Sequence, residues 1–179
     1  MDIFRHNWTF DEAYSAFAVV GLDANKDGKL SRSELEPVAK ISMDSLWDFG
    51  FFTFPRVDGK AAELAKPVDY NMKYSNGRAA LKFVLPLKKP VDGRRQQIDF
   101  ALYDPTFYVD LAFVKSAPMS VDDNASSLCR TYYKPPQQMD EVTTQSLSEY
   151  SKNESLSINF AKQLGDKYIV AECDCCVVG

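Results

Sequence analysis

Apolar and polar residues follow two different periods along this chain. Ile3 to Phe10 alternates, with Trp8 and Phe10 on one face, and predicts a strand. Phe10, Tyr14 and Phe17 then fall at helical spacing, which Leu35, Val38, Leu46 and Phe49 resume. A helix is therefore expected over 11–22 and a second over 32–48, with Asp11 and Glu12 well placed at the first helix's positive end. Pro37 sits early in the second helix. It lacks an N–H and crowds the preceding turn, so a kink or short break is expected there. From Phe51 the period returns to two. Phe51-Phe52-Thr53-Phe54 leads to Asp58-Gly59 and then to Ala61–Leu64. Tyr70, Met72 and Tyr74 alternate up to Asn76-Gly77, a dipeptide that tolerates positive φ and so marks a hairpin. Leu81, Phe83 and Leu85 alternate on the return strand, and Asp92-Gly93 marks another turn. Ile98, Phe100 and Leu102 line one face; Phe107, Val109, Leu111 and Phe113 line the next. This reads as an antiparallel meander with one wet face and one buried face, its aromatics forming the core.

Residues 115–127 read as a polar loop. Leu128–Tyr133 forms a further strand that Pro135-Pro136 ends. Residues 137–155 are rich in Gln, Ser, Thr and Glu without a period and read as a loop. Leu156, Phe160 and Leu164 predict a short amphipathic helix over 155–164, stopped by Gly165, and Tyr168–Cys173 is a last strand. The expected fold class is α+β, with residues 1–179 as one domain. It comprises a helix–loop–helix over about 11–48, an antiparallel sheet over about 51–134, and a C-terminal helix and strand over about 155–174.

Between the two N-terminal helices lies Asp23-Ala24-Asn25-Lys26-Asp27-Gly28-Lys29-Leu30-Ser31-Arg32-Ser33-Glu34, which has the form of a twelve-residue EF-hand calcium loop. Calcium takes six to eight oxygens. Asp23, Asn25 and Asp27 hold positions one, three and five, where their side-chain oxygens can face one hollow. Gly28 holds position six, where the chain must turn sharply. Lys29 offers its carbonyl, Ser31 can hold a water against the ion, and Glu34 can close the shell with both oxygens. Ser31 and Glu34 also make the S-x-x-E capping pattern that starts a helix. The loop's three carboxylates have Lys26, Lys29 and Arg32 nearby, which places the expected dissociation constant on the order of 10⁻⁵ to 10⁻³ M. No second loop has the required spacing, which favours a structural ion over a switch. At millimolar calcium such an ion adds roughly 1–3 kcal/mol of stability.

Composition narrows the partners. Of 179 residues 45% are hydrophobic and 26% charged, as in a soluble globular domain. The net charge is −4 and no basic run exists to track a phosphate backbone, which argues against nucleic acid. No apolar run is long enough to span a bilayer, and no export signal precedes the first strand. The chain is therefore expected to be cytoplasmic or to have lost such a signal. His6 is the only histidine. One imidazole does not make a metal site, so it reads as a surface or packing residue. Without a second base, a triad has no members, and no phosphate loop, Rossmann fingerprint or G-x-S-x-G occurs. Tyr103-Asp104-Pro105-Thr106 reads as a turn in which Asp104 bonds the backbone before Pro105.

The run Trp8-Thr9-Phe10-Asp11-Glu12 with Phe17, the calcium loop through Glu34, Phe51-Phe52-Thr53-Phe54, Tyr103-Asp104-Pro105-Thr106 with Tyr108, and a Cys129…Cys173 pair resemble a bacterial family of unknown function. Its members are described as the periplasmic component of an uncharacterised ABC-type transport system. The resemblance implies a periplasmic location, a membrane transporter component as partner, no enzymatic activity, and a link to nickel, cobalt or zinc transport. Members begin with a His-Pro-His segment that this chain lacks, so a transition-metal site built on that segment is not available here.

Four cysteines remain, and three readings of them stay open. Cys129 and Cys173 could join two strands by a disulfide in an oxidising compartment, adding about 2–4 kcal/mol. Cys173, Cys175 and Cys176 could instead hold soft Cu(I) or Zn²⁺, or all four could be inert thiols. The leading expectation is a non-catalytic periplasmic calcium-binding accessory or binding component of a transport system. The alternatives are a thiol-based transition-metal carrier and an uncharacterised hydrolase whose carboxylates the sequence does not place.

Overall fold

The computed structural model describes residues 3–92, 95–104, 106, 109, 111–114, 120, 129–134 and 168–173. Its elements are β1 (Ile3–Thr9), α1 (Glu12–Ala18), α2 (Arg32–Trp47), β2 (Thr53–Val57), β3 (Lys60–Ala61), β4 (Asp69–Ser75), β5 (Arg78–Pro86), β6 (Ile98–Leu102), β7 (Cys129–Lys134) and β8 (Tyr168–Cys173). Helices and antiparallel sheets together make the α+β class that the patterning predicts. The expected single meander over 51–134 does not form. Two sheets form instead, one ordered β1-β5-β4 and the other β3-β2-β6-β8-β7. The chain correspondingly makes two compact units, one of residues 1–51 and 63–90, the other of 52–62 and 91–179.

In the first unit β4 and β5 form a hairpin across Asn76-Gly77, whose φ angles of 52° and 75° suit a two-residue turn. β1 adds on the other side of β5, pairing Phe4 with Leu85, His6 with Phe83 and Trp8 with Leu81. Residues directly opposite share a face, so the buried Phe4, His6, Leu81, Phe83, Leu85 and Met72 line one side of this sheet. Arg5, Asn7 and Lys82 lie exposed on the other, which is the wet-and-dry division expected.

Both helices pack on this unit's sheet, α2 on β4 and α1 on β5. α2 buries Leu35, Ala39, Ser42 and Met43. It runs through Pro37 without the expected break. The residue four before it, Ser33, lies on the exposed face, so the carbonyl that Pro37 cannot serve is open to water. α1 has only seven residues against the twelve expected, and its apolar residues are not its buried ones. Phe17 is 80% exposed and Val20 76%, while Ser15 is fully buried. The Ser15 hydroxyl donates to the Asp11 carbonyl at 2.6 Å and accepts from the Ala79 N–H at 2.9 Å, tying α1 to the start of β5. Phe17, two residues on, points some 200° around the helix and away from that contact.

Where a strand was expected from Phe51, the backbone is left-handed at Gly50, Phe51 and Phe52, with φ of 58°, 52° and 49°. The turn ends the first unit at Phe51, whose ring lies 5.6 Å from Phe83 and 6.0 Å from Trp47. Phe52 opens the second unit.

In that second unit β2 pairs with β3 across Asp58-Gly59 and with β6 along its length. β6 departs from the expected alternation: Ile98, Asp99, Phe100, Ala101 and Leu102 are all buried. Such a run is characteristic of a strand covered on both faces. Its one charged member, Asp99, accepts from Arg56 Nε at 2.6 Å on the neighbouring strand. Val109 and Leu111–Val114 lie outside any strand, so the expected face is not formed by Val109, Leu111 and Phe113, while Phe107 lies outside the described residues. Asp104 holds backbone amides that follow it. Its buried carboxylate accepts from the Thr106 N–H at 2.8 Å, the Thr106 hydroxyl at 2.7 Å and the Val109 N–H at 2.8 Å, so the backbone it holds lies after Pro105 rather than before it. β7 and β8 match the expected strands to within a residue. The expected loop over 137–155, the helix over 155–164 and the thiols of Cys175 and Cys176 lie outside the described residues.

Candidate metal centre

Asp11 caps α1 by accepting from the Tyr14 N–H at 2.8 Å, and the helix ends after Ala18 in two tight turns that deliver the chain to Asp23. From there to Glu34 the side-chain oxygens fold the loop around its own amides. Asp23 Oδ1 accepts from the Asp27 N–H at 3.1 Å, and Oδ2 from the Gly28 N–H at 2.9 Å. Asn25 Oδ1 accepts from the same Asp27 N–H at 2.9 Å, and Asp27 Oδ1 from the Lys29 N–H at 2.7 Å. The Asn25 amide donates to Asp27 Oδ2 at 3.1 Å. Gly28 makes the reversal with φ of +77°. A Cβ there would meet no atom within 4 Å, so glycine is favoured by the backbone angle and not by space.

The far end of the loop is a helix start. Ser31 accepts from the Glu34 N–H at 3.3 Å while Glu34 reaches back to the Ser31 N–H at 2.9 Å, the reciprocal pair expected of S-x-x-E. Glu34 Oε2 also accepts from the Ser31 hydroxyl at 2.7 Å, and Oε1 accepts from the Ala24 N–H at 2.9 Å. Glu34 thereby bridges the two ends of the loop. The Ser31 hydroxyl first, then the Ser31 and Ala24 N–H groups, stabilise its anion and hold its pKa below the usual carboxylate value.

The six predicted ligands thus fall into two hydrogen-bonded sets. Asp23, Asn25 and Asp27 form one, with Lys29 joined to it through its N–H; Ser31 and Glu34 form the other. Among the described residues no three His, Cys, Asp or Glu side chains are grouped to hold a metal ion. Their chemistry nevertheless suits a hard cation: three carboxylates, an amide oxygen and a hydroxyl lie within twelve residues, and their hydrogen bonds are all exposed. For all of them to serve one ion, the Glu34 carboxylate has to face the same hollow as Asp23, Asn25 and Asp27. The Ala24 N–H and the Ser33 hydroxyl, 3.0 Å from that of Ser31, join the network without any signal in the ligand pattern.

The remaining candidates lie elsewhere. His6 is buried on the sheet, 4.7 Å from the Phe83 ring and 5.9 Å from Trp8, and its Nε2 makes no hydrogen bond. Burial pushes its pKa down to about 4. It is a packing residue. Cys129 and Cys173 are direct partners across β7 and β8. No helix among the described residues is long and apolar enough to cross a membrane.

The model of a family described as proteins of unknown function, DUF1007, matches residues 1–170. An uncharacterised 15.5 kDa protein in the trpE 3′ region of Spirochaeta aurantia is 31% identical over 103 residues, covering 58% of this chain and 73% of that protein. No solved structure matches the chain.

Proposed function

Because the chain belongs to the DUF1007 family, whose function is unknown, kinship gives it no activity, and we propose from its own residues that it is a non-catalytic calcium-binding protein. The observation that carries this reading is the loop from Asp23 to Glu34, in which the oxygens of Asp23, Asn25 and Asp27 already organise the turn at Gly28. These residues, with the Lys29 carbonyl, a water held by Ser31 and the Glu34 carboxylate, would hold Ca²⁺ in the manner of an EF-hand. The ion supplies a fixed divalent charge. The chain's part is to converge three carboxylates that otherwise repel one another and to join the end of α1 to the start of α2.

Glu34 sets the affinity. The loop's three carboxylates, with Lys26, Lys29 and Arg32 nearby, suit a dissociation constant on the order of 10⁻⁵ to 10⁻³ M, that of a structural ion in a calcium-rich compartment. We place the protein in the periplasm as an accessory or binding component of an ABC-type transporter. That assignment is supported by the family resemblance alone.

Calorimetric titration with CaCl₂ tests the metal. Wild type is expected to bind one ion, and Glu34→Gln to bind it at least tenfold more weakly, a loss of about 1.4 kcal/mol. Absence of heat from both proteins, with melting temperatures that are the same in calcium and in chelator, would reject the reading.

A further inference from the structure

We infer that Cys129 and Cys173 are the residues of an intramolecular disulfide that closes the β7–β8 edge of the five-stranded sheet. The inference rests on register and stands apart from the calcium loop, which belongs to the other compact unit. Cys129 is the first residue of β7 and Cys173 the last of β8, and the antiparallel ladder places them directly opposite each other. Opposed residues of such a pair have Cα atoms about 4.5 or 5.5 Å apart, according to their hydrogen-bonding class. Both distances fall within the roughly 4.4–6.8 Å that a disulfide spans. Opposed residues also share a face of the sheet, which the bond requires. The other two cysteines, Cys175 and Cys176, lie outside the described residues. Of the six pairs that four cysteines allow, register brings together this one among the described residues.

The bond forms by thiol–disulfide exchange with an external disulfide, such as oxidised glutathione or an oxidoreductase. The thiolate of one cysteine attacks a sulfur of that disulfide, forms a mixed disulfide and expels one thiolate. The other cysteine then attacks the sulfur of its partner and expels the second. The two cysteines together lose two electrons and two protons, and the external disulfide is reduced to two thiols. Across the 43 residues from 130 to 172, the closed ring restricts the unfolded chain and leaves the ladder as it is.

The full chain is oxidised with glutathione disulfide, free thiols are alkylated, and proteolytic peptides are mapped by mass spectrometry. A linked peptide containing Cys129 and Cys173, with Cys175 and Cys176 alkylated, is expected. Reduction should lower the melting temperature by on the order of 10 °C. Cys175→Ser/Cys176→Ser should keep both the link and that shift; Cys129→Ser should lose both. Links from Cys129 to Cys175 or Cys176, four alkylated thiols, or stoichiometric zinc or copper on the thiols would each overturn the assignment. Because the map is read on the wild type, a variant that fails to fold leaves the test intact.

Discussion

His6 carries the only histidine charge of the molecule, and the fold holds it neutral. Its ring is stacked on Phe83 and its Nε2 has no hydrogen-bond partner, so protonation would bury an uncompensated cation. The folded pKa of about 4 lies below the unfolded value of 6.5. The unfolded state therefore takes up the proton first, and stability is whole above pH 6.5 and lost as pH falls toward 4. Between pH 7 and pH 4.5 the loss amounts to about 2 kcal/mol, which denaturant melts of wild type and His6→Phe at those two pH values will measure. The variant should be at least as stable at pH 7 and should lose less on acidification. Glu34 adds to the same direction, since its lowered pKa is a stabilisation that disappears as pH falls through the carboxylate range. At this scale the turn at Gly28 and the Ser31–Glu34 cap were legible because turn and cap chemistry is a code of spacing. The role of Glu34 as a bridge from Ala24 to Ser31 was not, because spacing says nothing about which donors reach a side chain. Nor was the left-handed turn at Phe51 and Phe52. Each costs roughly 1–2 kcal/mol in that backbone region. Burying each ring returns about as much or more, so packing outweighs local preference.

Elements owe their placement to polar atoms as much as to apolar ones. α1 is the clearest case, because Ser15 and not Phe17 meets the sheet. Replacing Ser15 with Ala removes the acceptor for the buried Ala79 N–H and should cost roughly 1–3 kcal/mol. Phe17→Ser, on the exposed face, should cost under about 0.5 kcal/mol. Chemical denaturation of the two variants checks the ranking, and equal losses would mean that the hydroxyl is not what docks the helix. The helix expected over 11–22 contains both residues, but an amphipathic reading assigns the apolar face to the core by default. A seven-residue helix held by the Ser15 hydroxyl and the Glu12–Arg78 ion pair escapes that rule. β6 forms where Ile98, Phe100 and Leu102 predict it, but the burial of Asp99 and Ala101 on its other face was not legible, since alternation marks that face as wet. The hairpin at Asn76-Gly77 was legible because its turn chemistry is local.

For the molecule as a whole, the Asp23–Glu34 loop and the Cys129–Cys173 pair belong to different compact units, so the proposed ion and the proposed disulfide should act separably. Hydrogen exchange read by mass spectrometry is expected to slow in α2, β4 and β5 on adding calcium. Oxidation is expected to slow exchange in β7 and β8. Equal slowing in both units on adding calcium would show that they open as one. Sheet membership was the least legible feature, because the pairings of β1 with β5 and of β2 with β6 join residues far apart in sequence, and no local pattern encodes a long-range partner.

The interleaving of the units also bears on biosynthesis. As the chain leaves the ribosome β1 precedes its partner, which is complete only at Pro86, roughly 4–15 s of translation after Thr9. Residues 53–57 emerge in the meantime and wait for residues 98–102. A nascent chain stalled before Pro86 therefore carries two orphan strands together with Phe51, Phe52 and Phe54, which makes this interval the one in which a holdase chaperone has most to shield.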